Sequence, residues 1–170
     1  MGEIELIDEL ITEHRQIGEN MKAYKRAMDD LCGAQRLEDA KESLVPSRFE
    51  DSRKKVEQLE EDLGHTVNDL KHHFNREEKA LLDAFERRGS AELASILHEL
   101  LSEHSAIRRL LEAASAEASE LITDRSSRSV WEPKAWALRA RIASVGRELE
   151  SHASREEDLF QRAKQLFRGL

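Results

Sequence analysis

Apolar residues recur at steps of three and four residues along four separate stretches of the chain. In the first stretch they are Ile4, Ile7, Ile11, Ile17, Met21, Tyr24, Met28 and Leu31. This spacing keeps the side chains on one face of a helix, as in helices packed into a bundle. Few residues interrupt the stretches, because the 170 residues include only 7 Gly and 2 Pro. The chain is therefore predicted to be all-α, an antiparallel up-down-up-down four-helix bundle.

Glycine and proline indicate where the first helix ends. Helix one is expected over about residues 3–31, with Gly33 as a left-handed C-cap. A loop over about residues 33–47 should follow, closed by Pro46, although residues 37–44 could form a short helical turn.

The other three helices have equally clear boundary signals. Helix two is expected over about residues 48–88, with Gly89 as its C-cap. Ser90 can then N-cap helix three over residues 91–123. Pro133 is acceptable in the first turn of a helix and is expected to open helix four, which reaches about Phe167.

Composition limits the classes of partner. A formal net charge of −8, with 36% charged and 5% aromatic residues, argues against binding to nucleic acid or to an anionic membrane surface. The single cysteine, Cys32, excludes an intrachain disulfide. No apolar run is long enough to cross a membrane, and no signal-peptide pattern is present. We expect one cytoplasmic domain over residues 1–170.

Polar residues interrupt the four apolar seams at six places. These residues are His14, His73, Glu77, His104, His152 and Glu156. The other three histidines fall one residue off their seams and are predicted to be solvated, or at most to contact the site from outside: His65, His72 and His98.

The chain contains a two-fold internal echo. Glu13-His14 with Ile17 is repeated as Glu103-His104 with Ile107. His-x-x-x-Glu-Glu occurs at residues 73–78 and again at residues 152–157. A step of four residues stacks the imidazole and the carboxylate on one helix face. Each half therefore offers one lone histidine and one His-x-x-x-Glu pair, an arrangement that suits two metals sharing bridging carboxylates.

The six residues should also lie at one depth in the bundle. At 1.5 Å per residue, each falls about 15–23 Å from the end that holds the chain termini. The alternative is a set of buried polar groups satisfied by hydrogen bonds alone. Burying two glutamates without counter-charge costs several kcal/mol per ion, and the seams offer no Lys or Arg. We therefore predict a metal site, for which iron, manganese and zinc are all suitable with these nitrogen and oxygen ligands.

These motifs resemble those of the hemerythrin-like, or HHE cation-binding, family. Glu-His-x-x-Ile on helices one and three and His-x-x-x-Glu-Glu on helices two and four carry the resemblance, which spans nearly the whole chain. It implies a non-haem di-iron centre whose two iron ions are bridged by an oxo or hydroxo group and by Glu77 and Glu156. The implied ligands are His14, His73, Glu77, His104, His152 and Glu156.

One departure from the oxygen-carrying members bears on function. They have His-x-x-x-His on helix three, whereas Arg108 stands four residues after His104. One iron then lacks a histidine and keeps an open position beside Arg108. The six-ligand pattern is closer to the bacterial iron–sulfur-cluster repair proteins and related sensors.

Three hypotheses for the function follow. The first is a protein that binds O₂ or NO for sensing, storage or stress defence. The second is a di-iron enzyme, namely a peroxidase, an oxidase or an NO reductase resembling the cluster-repair proteins. The third is an iron-handling regulatory module. No nucleophilic catalytic site is apparent, so whether the protein is an enzyme stays open, and a homodimer could form.

Several neighbours of the six residues carry further expectations. Apolar residues one helical turn to either side would form water-excluding walls or, equally, ordinary bundle core: Ile11, Ile17, Leu70, Leu81, Leu100, Ile107, Leu149 and Leu159. Gly18 could open a small-gas pocket or allow a close helix contact, and the contact is favoured. Glu78 and Glu157 lie off the seam, where surface charge is favoured over hydrogen bonding to a ligating imidazole.

Overall fold

The computed structural model describes residues 2–40, 46–88 and 90–169, with side chains described for 2–33, 50–88 and 90–169. The elements in these ranges are all helical. They are α1 (Glu3–Ala40), α2 (Pro46–Arg76), a π-helical segment (Glu77–Leu81), α3 (Leu82–Arg88), α4 (Ala91–Leu101), α5 (His104–Thr123) and α6 (Arg128–Arg168).

These elements form four rods that run antiparallel. The first rod is α1, the second runs from α2 to α3, the third joins α4 and α5, and the fourth is α6. One apolar cluster joins the start of α1, the end of α3, the start of α4 and the end of α6 through Leu6, Phe85, Leu93 and Phe167. A second cluster joins the opposite ends of the same rods. The predicted up-down-up-down direction is confirmed.

The rods form a closed ring of neighbours. α1 packs against α6 and α2, α2 packs against α5, and α5 packs against α6. The predicted seams face the inside of this ring, where Ile7, Leu63, Leu97 and Ile142 are fully buried. The all-α four-helix bundle expected from the apolar spacing is thus confirmed.

The boundary signals had mixed outcomes. Ser90 is an N-cap, since its Oγ accepts a hydrogen bond from the Leu93 amide at 3.2 Å. The C-cap predicted at Gly33 is wrong, because α1 continues through it to Ala40. Glycine inside a helix costs about 1 kcal/mol relative to alanine, and the burial of Met28 and Leu31 just before it offsets that cost. Gly89 and residues 41–45 of the predicted loop lie outside the described residues.

The sequence predicted that Pro133 opens the last helix, and this prediction is wrong. α6 begins at Arg128, so Pro133 lies in the second turn. The fully buried Trp131 explains the earlier start, because its indole Nε1 donates to the Leu121 carbonyl at 2.9 Å and fixes the first turn. None of the described helices combines the length and apolarity that a membrane crossing needs.

Candidate metal centre

The six seam residues meet in one buried layer between the two apolar clusters. Glu77 and Glu156 have no exposed surface, and the exposed fraction is 9% for His14 and at most 2% for the other three histidines. His65, His72 and His98 are exposed, as predicted. The six residues predicted to lie at a common depth in the bundle are therefore the ones that the fold brings together.

Glu77 lies between two pairs of histidines. Its Oε1 is 3.4 Å from His14 Nε2 and 3.1 Å from His73 Nε2. Its Oε2 is 3.4 Å from His104 Nε2. One carboxylate therefore reaches both histidine pairs, each through a different oxygen.

Glu156 makes the same arrangement from the opposite rod. Its Oε2 is 3.1 Å from His14 Nε2, while its Oε1 is 3.4 Å from His104 Nε2 and 3.1 Å from His152 Nε2. The Nε2 atoms of His104 and His152 are 3.1 Å apart. The result is two adjacent groups that could each hold a cation: His14, His73, Glu77 and Glu156, and then His104, His152 and Glu156.

The spacing within these groups fits metal ligation. Two ligand atoms that each lie about 2.1 Å from one ion, at 90–110° around it, are about 3.0–3.4 Å apart. Seven of the separations given above, between 3.1 and 3.4 Å, lie in that range. The donor atoms are therefore already spaced as ligand atoms around a metal ion are.

Two interruptions of the helical rods place the ligands. The π-helical segment begins at Glu77, and the Leu82 amide bonds back to the Glu77 carbonyl. A π turn holds an extra residue and often occurs at functional sites. In the third rod, the helix breaks at Ser102 and Glu103 and α5 starts at His104. Neither interruption was expected from the sequence, because the three-and-four spacing continues across both.

Three of the four clustered histidines have their outer nitrogen, Nδ1, within hydrogen-bond distance of a carboxylate. Nδ1 of His73 is 2.7 Å from Glu13. Nδ1 of His104 is 2.9 Å from Glu78, and Nδ1 of His152 is 2.9 Å from Glu103. An Nδ1–H that donates to a carboxylate leaves Nε2 as an inward lone pair and makes the imidazole a better metal ligand.

Arginines support these outer carboxylates. Arg76 pairs with Glu13, and Arg108 pairs with Glu78. Arg155 binds Glu103 through two bonds of 2.6 and 2.7 Å. Arg155 and His152 lower the pKa of Glu103, so this carboxylate stays ionised as an acceptor for the imidazole.

His14 is the least constrained of the four histidines. Its Nδ1 is 3.5 Å from Glu157, beyond the reach of the short bonds that hold the other three rings. In the internal echo, Gly18 stands where the second half has Arg108. The carboxylate beside His14 therefore has no arginine at the position equivalent to Arg108.

Charge in the metal-free site is set by the two central carboxylates. Burial alone would lower the pKa of His14, but the carboxylates of Glu156 and Glu77 outweigh it and raise that pKa to about 10. The surrounding imidazoles, in turn, hold the pKa of Glu156 well below its usual range despite its burial. A proton and a cation thus compete for the same nitrogen.

Unsatisfied polar atoms provide the fit test for a metal. His14 Nε2, His73 Nε2 and all four carboxylate oxygens of Glu77 and Glu156 are buried without a hydrogen-bond partner. Buried polar atoms are normally satisfied, and leaving each one unpaired costs about 1–3 kcal/mol. Two cations would satisfy all of these atoms and balance the two carboxylates, so the residues fit a metal centre.

Two expectations for neighbouring residues were wrong. Glu78 was assigned to surface charge, but it bonds to His104. A close helix contact was favoured for Gly18, yet a Cβ built there meets nothing within 4 Å. Beside Arg108, where the sequence predicts an open coordination position, the guanidinium lies 5.2 Å from the centre of the Phe74 ring. Phe74 in turn stacks on His104 with ring centroids 3.6 Å apart.

Other residues of the site confirm or extend the sequence prediction. The predicted apolar walls are all buried: Ile11, Ile17, Leu70, Leu81, Leu100, Ile107, Leu149 and Leu159. Glu13 and Glu103 were not predicted as part of the site. Each directly precedes a lone seam histidine, and this repeated Glu-His pair was the available signal.

Comparison with protein families gives one match. The model of the hemerythrin HHE cation-binding domain matches residues 34–163, well over half of the chain. The matched segment contains five of the six clustered residues, and His14 joins them through its contacts with Glu77 and Glu156. No curated protein and no solved structure matched the chain. With a four-helix bundle around a buried cluster able to hold a metal, this chain belongs to the hemerythrin HHE cation-binding domain family.

Proposed function

We propose that this protein holds two iron ions and binds O₂ or NO at them, for sensing, storage or stress defence. The proposed ligands are His14, His73, Glu77, His104, His152 and Glu156. The observation that carries the proposal is that Glu77 and Glu156 each contact both pairs of histidines. Iron is favoured over manganese or zinc because of the family resemblance, since nitrogen and oxygen ligands alone do not choose among them.

The chain's own residues would prepare the site for a small gas. Reduced iron would supply the electrons and the open coordination position that bind O₂ or NO. Glu13, Glu78 and Glu103 orient three imidazoles, while buried apolar walls lie one helical turn to either side of the site. Apolar walls favour reversible binding, because they limit the contact of a bound gas with water.

Access to the site is on the His14 side. Phe74 and Arg108 cover the side of His104, whereas Gly18 leaves open space one helical turn from His14. This difference favours gas binding near His14 over the open position beside Arg108 that the enzyme hypothesis used. The iron-handling hypothesis requires no gas access and is separated from our proposal by the following measurement.

Stopped-flow mixing tests the proposal. Reduced protein with two irons per chain is expected to develop new visible absorption when it is mixed with O₂ or NO. Zinc-loaded protein is the matched control, because zinc has no redox chemistry and should stay silent. If fully iron-loaded protein shows no spectral change with either gas, gas binding is wrong and an iron-handling role takes its place.

The outer carboxylates give a second prediction. Glu103→Ala removes the partner of His152 Nδ1 and should weaken metal binding by about 10- to 100-fold, the usual effect of such residues. Titration with a coloured metal chelator measures the affinity. Glu99→Ala, an exposed site in the preceding helical turn, is the control and should leave the affinity unchanged. Equal affinities in the two variants would show that Glu103 does not support the ligand.

A further inference from the structure

A cleft of about 520 Å³ lies between α1 and α6 and reaches three of the clustered histidines. His14, His73 and His152 are at its inner end, while the exposed Arg15 and Arg147 are among its outer residues. A water molecule occupies only about 30 Å³ in the liquid, and O₂ or NO is of similar size. Pockets for organic molecules measure about 300–1,000 Å³. The cleft is therefore far larger than gas access requires.

The cleft exists because the two halves of the chain differ at two echoed positions. Gly18 corresponds to Arg108, and Ala153 corresponds to Phe74. Arg108 and Phe74 fill the space beside His104 by packing against each other. At the equivalent place beside His14, both large side chains are replaced by small ones, and Gly18 and Ala153 line the cleft. The opening therefore lies beside His14, whereas Arg108 and Phe74 fill the equivalent space beside His104.

The inner walls of the cleft are apolar. Six buried side chains from α1, α2 and α6 form them: Ile17, Met21, Leu70, Phe74, Ile142 and Leu149. Removing apolar surface from water is favourable in proportion to the area that a ligand covers. A hydrocarbon chain or an aromatic ring is the group that such walls would bind.

The outer part of the cleft offers positive charge. Two of its lysines are already paired, Lys22 with Glu19 and Lys25 with Asp29. In the described part of the chain, Arg15 and Arg147 have no ion pair within 4.0 Å. Glu150 is also exposed at this level. The remaining carboxylate of the lining, Glu157, lies at the inner end, 3.5 Å from His14 Nδ1. At the outer level, two guanidinium groups against the carboxylate of Glu150 favour an anionic headgroup, and arginine suits a carboxylate because it can donate two parallel bonds.

We propose that the cleft lined by Gly18 and Ala153 binds an amphipathic organic carboxylate, with its hydrocarbon part against the apolar walls and its headgroup at Arg15 and Arg147. The bound molecule would lie directly beside His14, so it would cover the open side of the clustered histidines. The proposal does not rest on iron or on gas binding. It predicts ligand occupancy with any metal that the cluster holds.

Isothermal titration calorimetry of the metal-loaded protein with octanoate tests the proposal. Octanoate is expected to bind, whereas acetate, which carries the carboxylate alone, is expected to give no measurable heat. Gly18→Leu should weaken octanoate binding at least tenfold by filling the cleft, and the open space at that position accommodates the new side chain. Ala153→Leu should have the same effect from the facing helix.

Matched controls separate the cleft from general effects on the helices. Gly64→Leu is the control for Gly18→Leu, because Gly64 also lies inside a helix, has open space and is outside the cleft. It should bind octanoate as the unmodified protein does. Arg15→Gln combined with Arg147→Gln should weaken binding of octanoate a few-fold but leave binding of 1-octanol unchanged.

Any one of four results would overturn the proposal or its headgroup assignment. The first is an absence of octanoate binding to the unmodified protein. The second is octanoate binding that survives in both Gly18→Leu and Ala153→Leu, because the site would then lie elsewhere. The third is acetate binding as tightly as octanoate, which would indicate direct attachment to the metal. Equal loss of octanoate and 1-octanol in the double arginine variant would refute the anionic headgroup.

Discussion

Glu156→Ala is expected to remove nearly all bound metal from this protein. Glu156 belongs to both groups of potential ligands and contacts His14, His104 and His152 at 3.1–3.4 Å. Losing residues that only support a ligand already costs about 10- to 100-fold in metal affinity, so losing a shared carboxylate should cost more than about 100-fold. Elemental analysis after gel filtration measures the metal bound per chain.

The control for this experiment is Glu148→Ala, an exposed glutamate on the same helix. It should retain the metal content of the unmodified protein. Far-ultraviolet circular dichroism of both variants shows whether the helices form. A folded Glu156→Ala protein with full metal content would exclude Glu156 as a ligand and contradict the bridging role proposed for it.

Removing the metal is expected to lower the melting temperature by about 5–11 °C. A ligand that binds only the folded state at 100 times its Kd contributes about 2.7 kcal/mol, and each kcal/mol shifts the melting temperature of a domain this size by about 2–4 °C. Without cations, the buried oxygens of Glu77 and Glu156 have only the neighbouring imidazoles beside them, and an imidazole Nε2 must carry a proton to donate to them. Thermal unfolding with and without a chelator, followed by circular dichroism, measures the shift.

The same measurement on Glu156→Ala distinguishes metal loss from other effects of the chelator. A variant that holds no metal should melt at the same temperature in both conditions. If the unmodified protein also shows no shift, the cluster contributes nothing to folding, and the cost assigned to its unsatisfied atoms is wrong. If both proteins shift equally, the chelator acts outside the cluster.

The positions of the six clustered residues could be predicted because two independent patterns agreed. The three-and-four spacing identified which histidines face inward, and it excluded His65, His72 and His98 correctly. Counting residues from one end then placed all six at a common depth. Helical geometry is regular enough for both arguments, since each residue adds a fixed rise and rotation. Their assignment as metal ligands stays a prediction for the experiments above.

Local deviations from that regularity could not be predicted. The π-helical segment at Glu77 and the break before His104 change the direction of a side chain without changing the apolar pattern. Gly33 was expected to end a helix, but α1 continues through it. The packing of the residues before Gly33 outweighs the free-energy cost of a glycine inside the helix. Helix boundaries depend on tertiary contacts that a single sequence does not display.

The carboxylates that contact the imidazole rings could not be predicted from the sequence, because some of these contacts join two neighbouring rods. Glu78 is off its own seam, yet it reaches His104 because the second and third rods are adjacent. Glu13 reaches His73 in the same way from α1. The spacing within one helix carries no information about which rods are its neighbours, so side chains that lie between two rods resemble surface residues in the sequence.

The exchange of contacts between the two halves has a consequence for how the site is assembled. Glu78 of the first half holds His104 of the second, and Glu157 of the second half lies nearest to Nδ1 of His14 in the first. A single helical hairpin therefore lacks part of its own site, but two copies of it would complete each other. The present chain carries two such hairpins in one polypeptide, so its halves can differ at echoed positions. The first half has Gly18 and Phe74 where the second has Arg108 and Ala153, a difference that two identical hairpins could not have.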